Sequence, residues 1–416
     1  MKKCIVYLTF FIGVSIMFYI FNEIKEKDIL DSVLKAKITN DSKDIFEAIS
    51  KLVTFSTKWK LTGNLWHKYI LYVLVHNDNP YTRAIEKNQK TSGDDSLIMH
   101  DLRAFYDLYN LDIDFMHEVK DYSFLKETGS HYVRDLLNEL ELEINNNTFD
   151  TFKNSIINFY KTKGLSDMAI YKAFRVNDGV LVPIKHVQEI VFDDLIGYDE
   201  HKRILCDNTE AFINNRPYNN VLLYGDAGTG KSSSVKALIN KYFDQGLRII
   251  EVYKHQMKEI SKIIDTLKSR PYYYIIYMDD LSFEENEIEY KYLKSIIEGG
   301  IEPKPNNVAI YATSNRRHLI KETFQDNGTV FDDLHRKETE AEKLSLAYRF
   351  GIKIFYSSLT PNEFKEMVTE LAKRNDITID NELLLKEANT FQMNNGTLSG
   401  RCAQQFISYI YNKYQK

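Results

Sequence analysis

Residues 225–232 read Gly-Asp-Ala-Gly-Thr-Gly-Lys-Ser and satisfy G-x-x-x-x-G-K-[ST] at every position. Glycines at 225, 228 and 230 let successive backbone N–H groups turn inward around phosphate oxygens, and the helix that must follow adds the positive end of its dipole. Lys231 brings a point charge for the β- and γ-phosphates, and Ser232 a hydroxyl for Mg²⁺. Gly225, Asp226, Ala227, Gly228, Thr229, Gly230, Lys231, Ser232 and Ser233 are therefore the expected residues for binding a nucleoside triphosphate, ATP with Mg²⁺. A chance glycine turn would not need a buried strand before it and a helix after it, and both are legible here.

Asp279 and Asp280 close the apolar run Tyr273–Met278. Acids at the C-terminal end of a parallel strand face the crevice where nucleotides bind. Asp279 is assigned to the metal and Asp280 to the attacking water as general base, with Glu284 and Glu285 as weaker candidates for the base. Asn315 follows Ala312-Thr313-Ser314 at the end of a later apolar run. By itself an Asn there is a turn former; its place in the order of elements makes it a candidate for positioning water or the γ-phosphate.

These residues need a scaffold, and the pattern supplies one. Val221–Tyr224, Arg248–Val252, Tyr273–Met278, Val308–Thr313 and Lys353–Tyr356 read as buried strands alternating with helices, which predicts a parallel α/β sheet sandwiched by helices. A helix is expected from Ser232 to about Phe243. Thr360-Pro361 signals the start of an all-helical C-terminal segment. Upstream, apolar residues recur at three- and four-residue spacing, as in Val133-Leu136-Leu137-Leu140, and predict an α-helical N-terminal domain with no catalytic constellation. The expected domains are an apolar leader (1–22), the helical domain (23–168), connecting strands or a linker (169–191), the nucleotide-binding α/β domain (192–358) and a helical lid (359–416).

The chain of 416 residues has room for two or three domains, and 44% hydrophobic content allows a full core. A formal charge of −5 gives no footprint for nucleic acid over the whole chain, although one basic face would suffice. Cys4, Cys206 and Cys402 have no metal-type spacing, and a reducing compartment is expected. The run Cys4–Phe21 is about 18 residues, just long enough to cross a bilayer. It is either a membrane anchor or a hydrophobic helix packed on the N-terminal domain. The expected location is cytoplasmic, with membrane contact through residues 4–21 as the alternative.

In this order the pieces from Phe192 onward resemble a P-loop AAA+ ATPase module. Phe192-Asp193-Asp194-Leu195-Ile196-Gly197 resembles the segment that contacts adenine, which implies that Ile196 and Gly197 take part in nucleotide binding. Gly225–Ser232 is similar to its Walker A motif, Asp279-Asp280 to Walker B and Asn315 to sensor 1. Leu346–Gly351 resembles the arginine-finger region and implies that Arg349 reaches a neighbouring subunit's γ-phosphate; Arg316 and Arg317 are rival candidates. Leu398-Ser399-Gly400-Arg401 resembles sensor 2 of the lid and implies a catalytic role for Arg401. Asp280 departs from the usual Glu and implies slow hydrolysis. Closer likeness, through Asp279–Glu285, Leu293-Lys294-Ser295 and Ala312–Leu319, is to a bacterial family catalogued as domain of unknown function 815; His100-Asp101-Leu102-Arg103 extends it over most of the chain. The resemblance implies a homo-oligomeric ring or spiral and a Mg²⁺-dependent ATPase that remodels an unknown protein client. A replication or repair accessory similar to helicase loaders, and a nucleotide switch with little hydrolysis, are the alternatives.

Overall fold

The computed structural model describes residues 18–87, 96–123, 132–144, 148–164, 166–283, 289–298, 304–315 and 346–414. The chain forms two compact units, Met1–Ile170 and Tyr171–Lys416.

Among its described residues the first unit is helical: α1 (Lys27–Thr39), α2 (Ser42–Trp59), α3 (Leu65–Val75), α4 (Pro80–Glu86), α5 (Ser96–Tyr109), α6 (Tyr132–Glu143), α7 (Phe149–Thr162) and α8 (Ser166–Ile170). Almost every residue of α3, Leu-Trp-His-Lys-Tyr-Ile-Leu-Tyr-Val-Leu-Val, is buried, so this helix is the centre of the unit. Caps set the helix starts. Asn64 accepts from the Trp66 and His67 amides, and Asn79 and Thr82 form a reciprocal capping box ahead of Pro80.

The alternative of membrane contact through residues 4–21 is corrected by the structure. Among the described residues no helix is long and apolar enough to cross a membrane. The apolar run has left any helical course by its last residues: the Tyr19, Ile20 and Phe21 amides all donate to the Asp101 carboxylate at 2.8–3.0 Å. A spanning helix satisfies its amides within itself, whereas this stretch depends on a carboxylate 80 residues away. Phe18 stacks on Phe105 and Phe21 is fully buried. Residues 1–17 lie outside the described residues.

The second unit is built on one sheet in the order β2-β1-β4-β5-β6-β3-β7. Its strands are β1 (Ala173–Asn177), β2 (Val180–Ile184), β3 (Val221–Gly225), β4 (Leu247–Glu251), β5 (Tyr273–Met278), β6 (Val308–Ser314) and β7 (Ile352–Tyr356). All pairings are parallel except β1 with β2. The helices α9 (Asp199–Ile213), α10 (Lys231–Tyr242), α11 (Ile260–Leu267) and α12 (Glu289–Glu298) alternate with the strands. Residues 173–184, read from sequence as connecting strands, form the sheet's outer edge. The Asp178-Gly179 turn, both residues at positive φ, suits a tight hairpin, and β1 then pairs with β4.

Beyond β7, Thr360 and Glu363 form a capping box ahead of Pro361 and start α13 (Pro361–Arg374); α14 (Asn381–Asn395) and α15 (Gly400–Tyr414) follow. Phe364, Val368, Ala388, Phe406 and Ile410 are the centre of this bundle's own core, and Ile196 and Tyr198 pack against it. The fold class is α/β: a mostly parallel sheet with flanking helices and a glycine-rich loop after β3, an all-helical C-terminal bundle and an α-helical N-terminal unit.

Candidate functional site

The strand β3 lies between β6 and β7, where the strand order reverses, and the phosphate loop leaves its C-terminal end into α10. Ligands bind at this kind of switch point. Two glycines are forced by close approach. A Cβ at Gly225 would lie 2.1 Å from the Tyr356 carbonyl oxygen, at φ +129°. At Gly228, with φ +76°, it would lie 3.0 Å from the Arg401 Cβ and 3.1 Å from the Ser399 Oγ. Lys231 is buried, and its ammonium donates to the Gly225 and Asp226 carbonyls at 2.9 and 2.5 Å. Burial pushes its pKa below the usual value, against the opposing pull of Asp226, Asp280 and Asp279.

The acidic pair follows β5, which β6 separates from β3. Met278 pairs with Ala312, so the following residues, Asp279 and Thr313, are neighbours across β5 and β6. Three hydroxyls converge on the Asp279 Oδ1: Ser232 Oγ at 2.7 Å, Tyr277 OH at 2.7 Å and Thr313 Oγ1 at 2.5 Å. Partial loss of water pushes the Asp279 carboxyl up, but the three donors outweigh it and hold the group below the usual carboxylate value. Asp280 has a left-handed backbone, φ +50°. Its amide donates to the Thr313 Oγ1 at 2.9 Å, and its Oδ1 accepts from the Asn315 Nδ2 at 2.7 Å.

Of the residues singled out in the sequence, Ile196, Ala227–Ser233, Asp279, Asp280, Asn315 and Arg401 line one cleft of about 370 Å³. Gly197, Gly225, Asp226 and Arg349 are not among its lining residues. Gly197 is a positive-φ turn residue, and Arg349 is half-buried in the turn before β7. Glu284, Glu285, Arg316 and Arg317 lie outside the described residues. Sequence reading missed Tyr198, Tyr277, Thr313, Met367, Leu371 and Gln404. Tyr277 and Thr313 had a signal, each standing two residues before a chosen one on a strand and so on the same face. Met367, Leu371 and Gln404 of the C-terminal bundle had none; only the folding of the bundle brings them to the cleft.

These residues fit Mg²⁺ and a nucleotide. The Ser232 hydroxyl and Asp279 carboxylate are hard oxygen donors of the kind Mg²⁺ takes, alongside waters and phosphate oxygens. The cleft is lined by the glycine loop with Lys231 and by the apolar Ile196, Met367 and Leu371.

The sequence model of a family described as "Protein of unknown function (DUF815)" matches residues 167–414, more than half of the chain. The chain belongs to the DUF815 family. The match covers residues 167–414 and does not include His100–Arg103. No curated protein matches the sequence. Among solved structures, the Thermotoga maritima RuvB Holliday junction branch migration motor is similar at 16% identity, with a TM-score of 0.32, over 54% of this chain and 72% of that one. A mutant form of that protein gives 16%, 0.33, 54% and 72%. TM-scores of this size carry no weight, and the reading of the DUF815 site rests on the chain's own residues.

Proposed function

We propose that this DUF815 protein binds Mg²⁺-ATP in the cleft and hydrolyses it within a homo-oligomer, with residues 192–358 as the nucleotide module and 359–416 as its lid. One observation carries the reading: Lys231, Ser232 and the Asp279-Asp280 pair line the same cleft, with the Ser232 hydroxyl 2.7 Å from the Asp279 carboxylate. The loop amides and Lys231 bind and neutralise the phosphates. Ser232 and Asp279 would hold Mg²⁺, which when bound balances charge on the transferring phosphoryl group. Asp280 orients and deprotonates the attacking water, Asn315 holds the Asp280 carboxylate, and Arg401 adds positive charge from the lid. Arg349 acts on the neighbouring subunit, where an arginine finger is worth about 10³–10⁵ in rate. The energy released would remodel an unidentified protein client.

Calorimetric titration with Mg²⁺-ATP and a phosphate-release assay test this. Lys231→Ala loses a charge-assisted contact and should weaken binding by roughly 10- to 100-fold; unchanged affinity and turnover would reject the site. Arg349→Ala should retain affinity and lose turnover. Binding with no turnover at high protein concentration would make the protein a nucleotide switch, a reading that the short, left-handed Asp280 favours.

A further inference from the structure

Asp226 is the second residue of the phosphate loop, yet its carboxylate is bonded to the start of the lid and not to the cleft. Its Oδ2 accepts from both the amide and the hydroxyl of Ser358, at 2.7 and 2.6 Å. The partners are 132 residues apart, so this is no local turn. Ser358 lies between the last residue of β7 and Thr360, the N-cap of α13. Every residue of this strap is tied. The Tyr356 carbonyl accepts from the Asp226 amide at 2.9 Å, and its hydroxyl bonds to Ser234 on α10 at 3.0 Å. The Ser357 carbonyl accepts from the Tyr198 hydroxyl, and the Leu359 amide donates to Leu398, just before α15.

Asp226 also connects to the lysine of the loop, because its carbonyl accepts from the Lys231 ammonium at 2.5 Å. One residue thus receives the phosphate-sensing lysine on its backbone and the lid strap on its side chain. A second tie joins loop and lid, from the Arg401 amide to the Gly228 carbonyl at 3.1 Å.

We infer that the Asp226–Ser358 pair is a latch through which the phosphate loop sets the position of the helical lid. Asp226 is a positioning residue and does not itself hold phosphate. When Lys231 turns toward a phosphate it leaves the Asp226 carbonyl, residue 226 readjusts, and the strap that it grips passes the change to α13. The two Ser358 donors hold the Asp226 carboxyl below its usual pKa, so the latch is charged at neutral pH. The inference deepens the nucleotide reading and rests on it for the lysine's role.

The test is hydrogen–deuterium exchange of the full chain, with and without Mg²⁺-ADP, on wild type, Ser358→Ala, Ser358→Thr and Asp226→Asn. Removing one of the two bonds in Ser358→Ala, or the charge that strengthens both in Asp226→Asn, should speed exchange across residues 359–414 by about three- to tenfold. Exchange in β3–β6 should stay as in wild type, and Ser358→Thr, which keeps the hydroxyl, should restore the lid. Mg²⁺-ADP should protect the lid of wild type and of Ser358→Thr, and protect it much less in the other two. Wild-type lid exchange in both disrupted variants overturns the latch, and so does faster exchange spread evenly over the whole unit. If Mg²⁺-ADP protects nothing in wild type, the nucleotide reading fails, and the nucleotide-free comparison still decides whether the pair holds the lid.

Discussion

Thr313→Val probes the acidic pair with little change of shape. Valine keeps the β-branched form that suits β6, so the fully buried position stays filled and only the hydroxyl goes. That hydroxyl donates to Asp279 at 2.5 Å and accepts from the Asp280 amide at 2.9 Å. A hydrogen bond to a charged group contributes about 1.5–3 kcal/mol, here at the low end because Ser232 and Tyr277 still donate to the same oxygen. An amide left without a partner costs about 1–3 kcal/mol. Together these predict a destabilisation of roughly 2.5–4.5 kcal/mol in the Tyr171–Lys416 unit. The same amide bond holds Asp280 in its left-handed conformation, so turnover should fall more than nucleotide affinity. Urea unfolding of the full chain, with the relevant transition identified by its response to Mg²⁺-ATP, measures the first effect; kcat and the nucleotide Kd, each measured separately against wild type, measure the second. An unchanged midpoint together with unchanged kcat would refute the argument that this hydroxyl organises the pair.

Two further outcomes concern the helical unit. In Asp101→Ala the Tyr19, Ile20 and Phe21 amides lose their common acceptor. Water can replace it at the exposed Tyr19 but not at the buried Phe21, so a loss of about 2–4 kcal/mol and faster proteolysis before residue 22 are expected; a loss below about 1 kcal/mol would mean that the aromatic contacts alone secure the segment. His76 is buried at the end of α3 and bonded to the Tyr72 carbonyl, and burial lowers its pKa to about 4 from 6.5. Above the unfolded value it is neutral in both states and costs nothing. As pH falls from 6.5 toward 4 the unfolded chain takes the proton first, so stability drops by about 1.4 kcal/mol per unit, roughly 3 kcal/mol in all. Denaturation midpoints between pH 7 and 4.5 should show a shallower decline in His76→Gln than in wild type, and parallel curves would contradict the assignment.

Much of the site could be read along the chain because its signals are contiguous. The phosphate loop is eight successive residues between an apolar strand and a helix, and Asp279-Asp280 and Asn315 each end an apolar run. Such features follow from local backbone needs: glycines where main chain approaches main chain, and acids where a buried strand emerges. The C-terminal helices were legible for the same reason, their start marked by Thr360-Pro361. Tertiary structure alone decided what meets across long separations. It set β1 beside β4 and so turned an apparent linker into the sheet's edge. It brought Met367, Leu371 and Gln404 to the cleft, put three hydroxyls on one oxygen of Asp279, and turned Asp226 toward Ser358. It also drew the end of the apolar run onto Asp101. The physical reason is common to these cases. Residue types and spacing record what a segment requires of its own backbone, whereas a partner 80 or 132 residues away is chosen only when burial of the whole unit fixes which polar groups are left to satisfy one another.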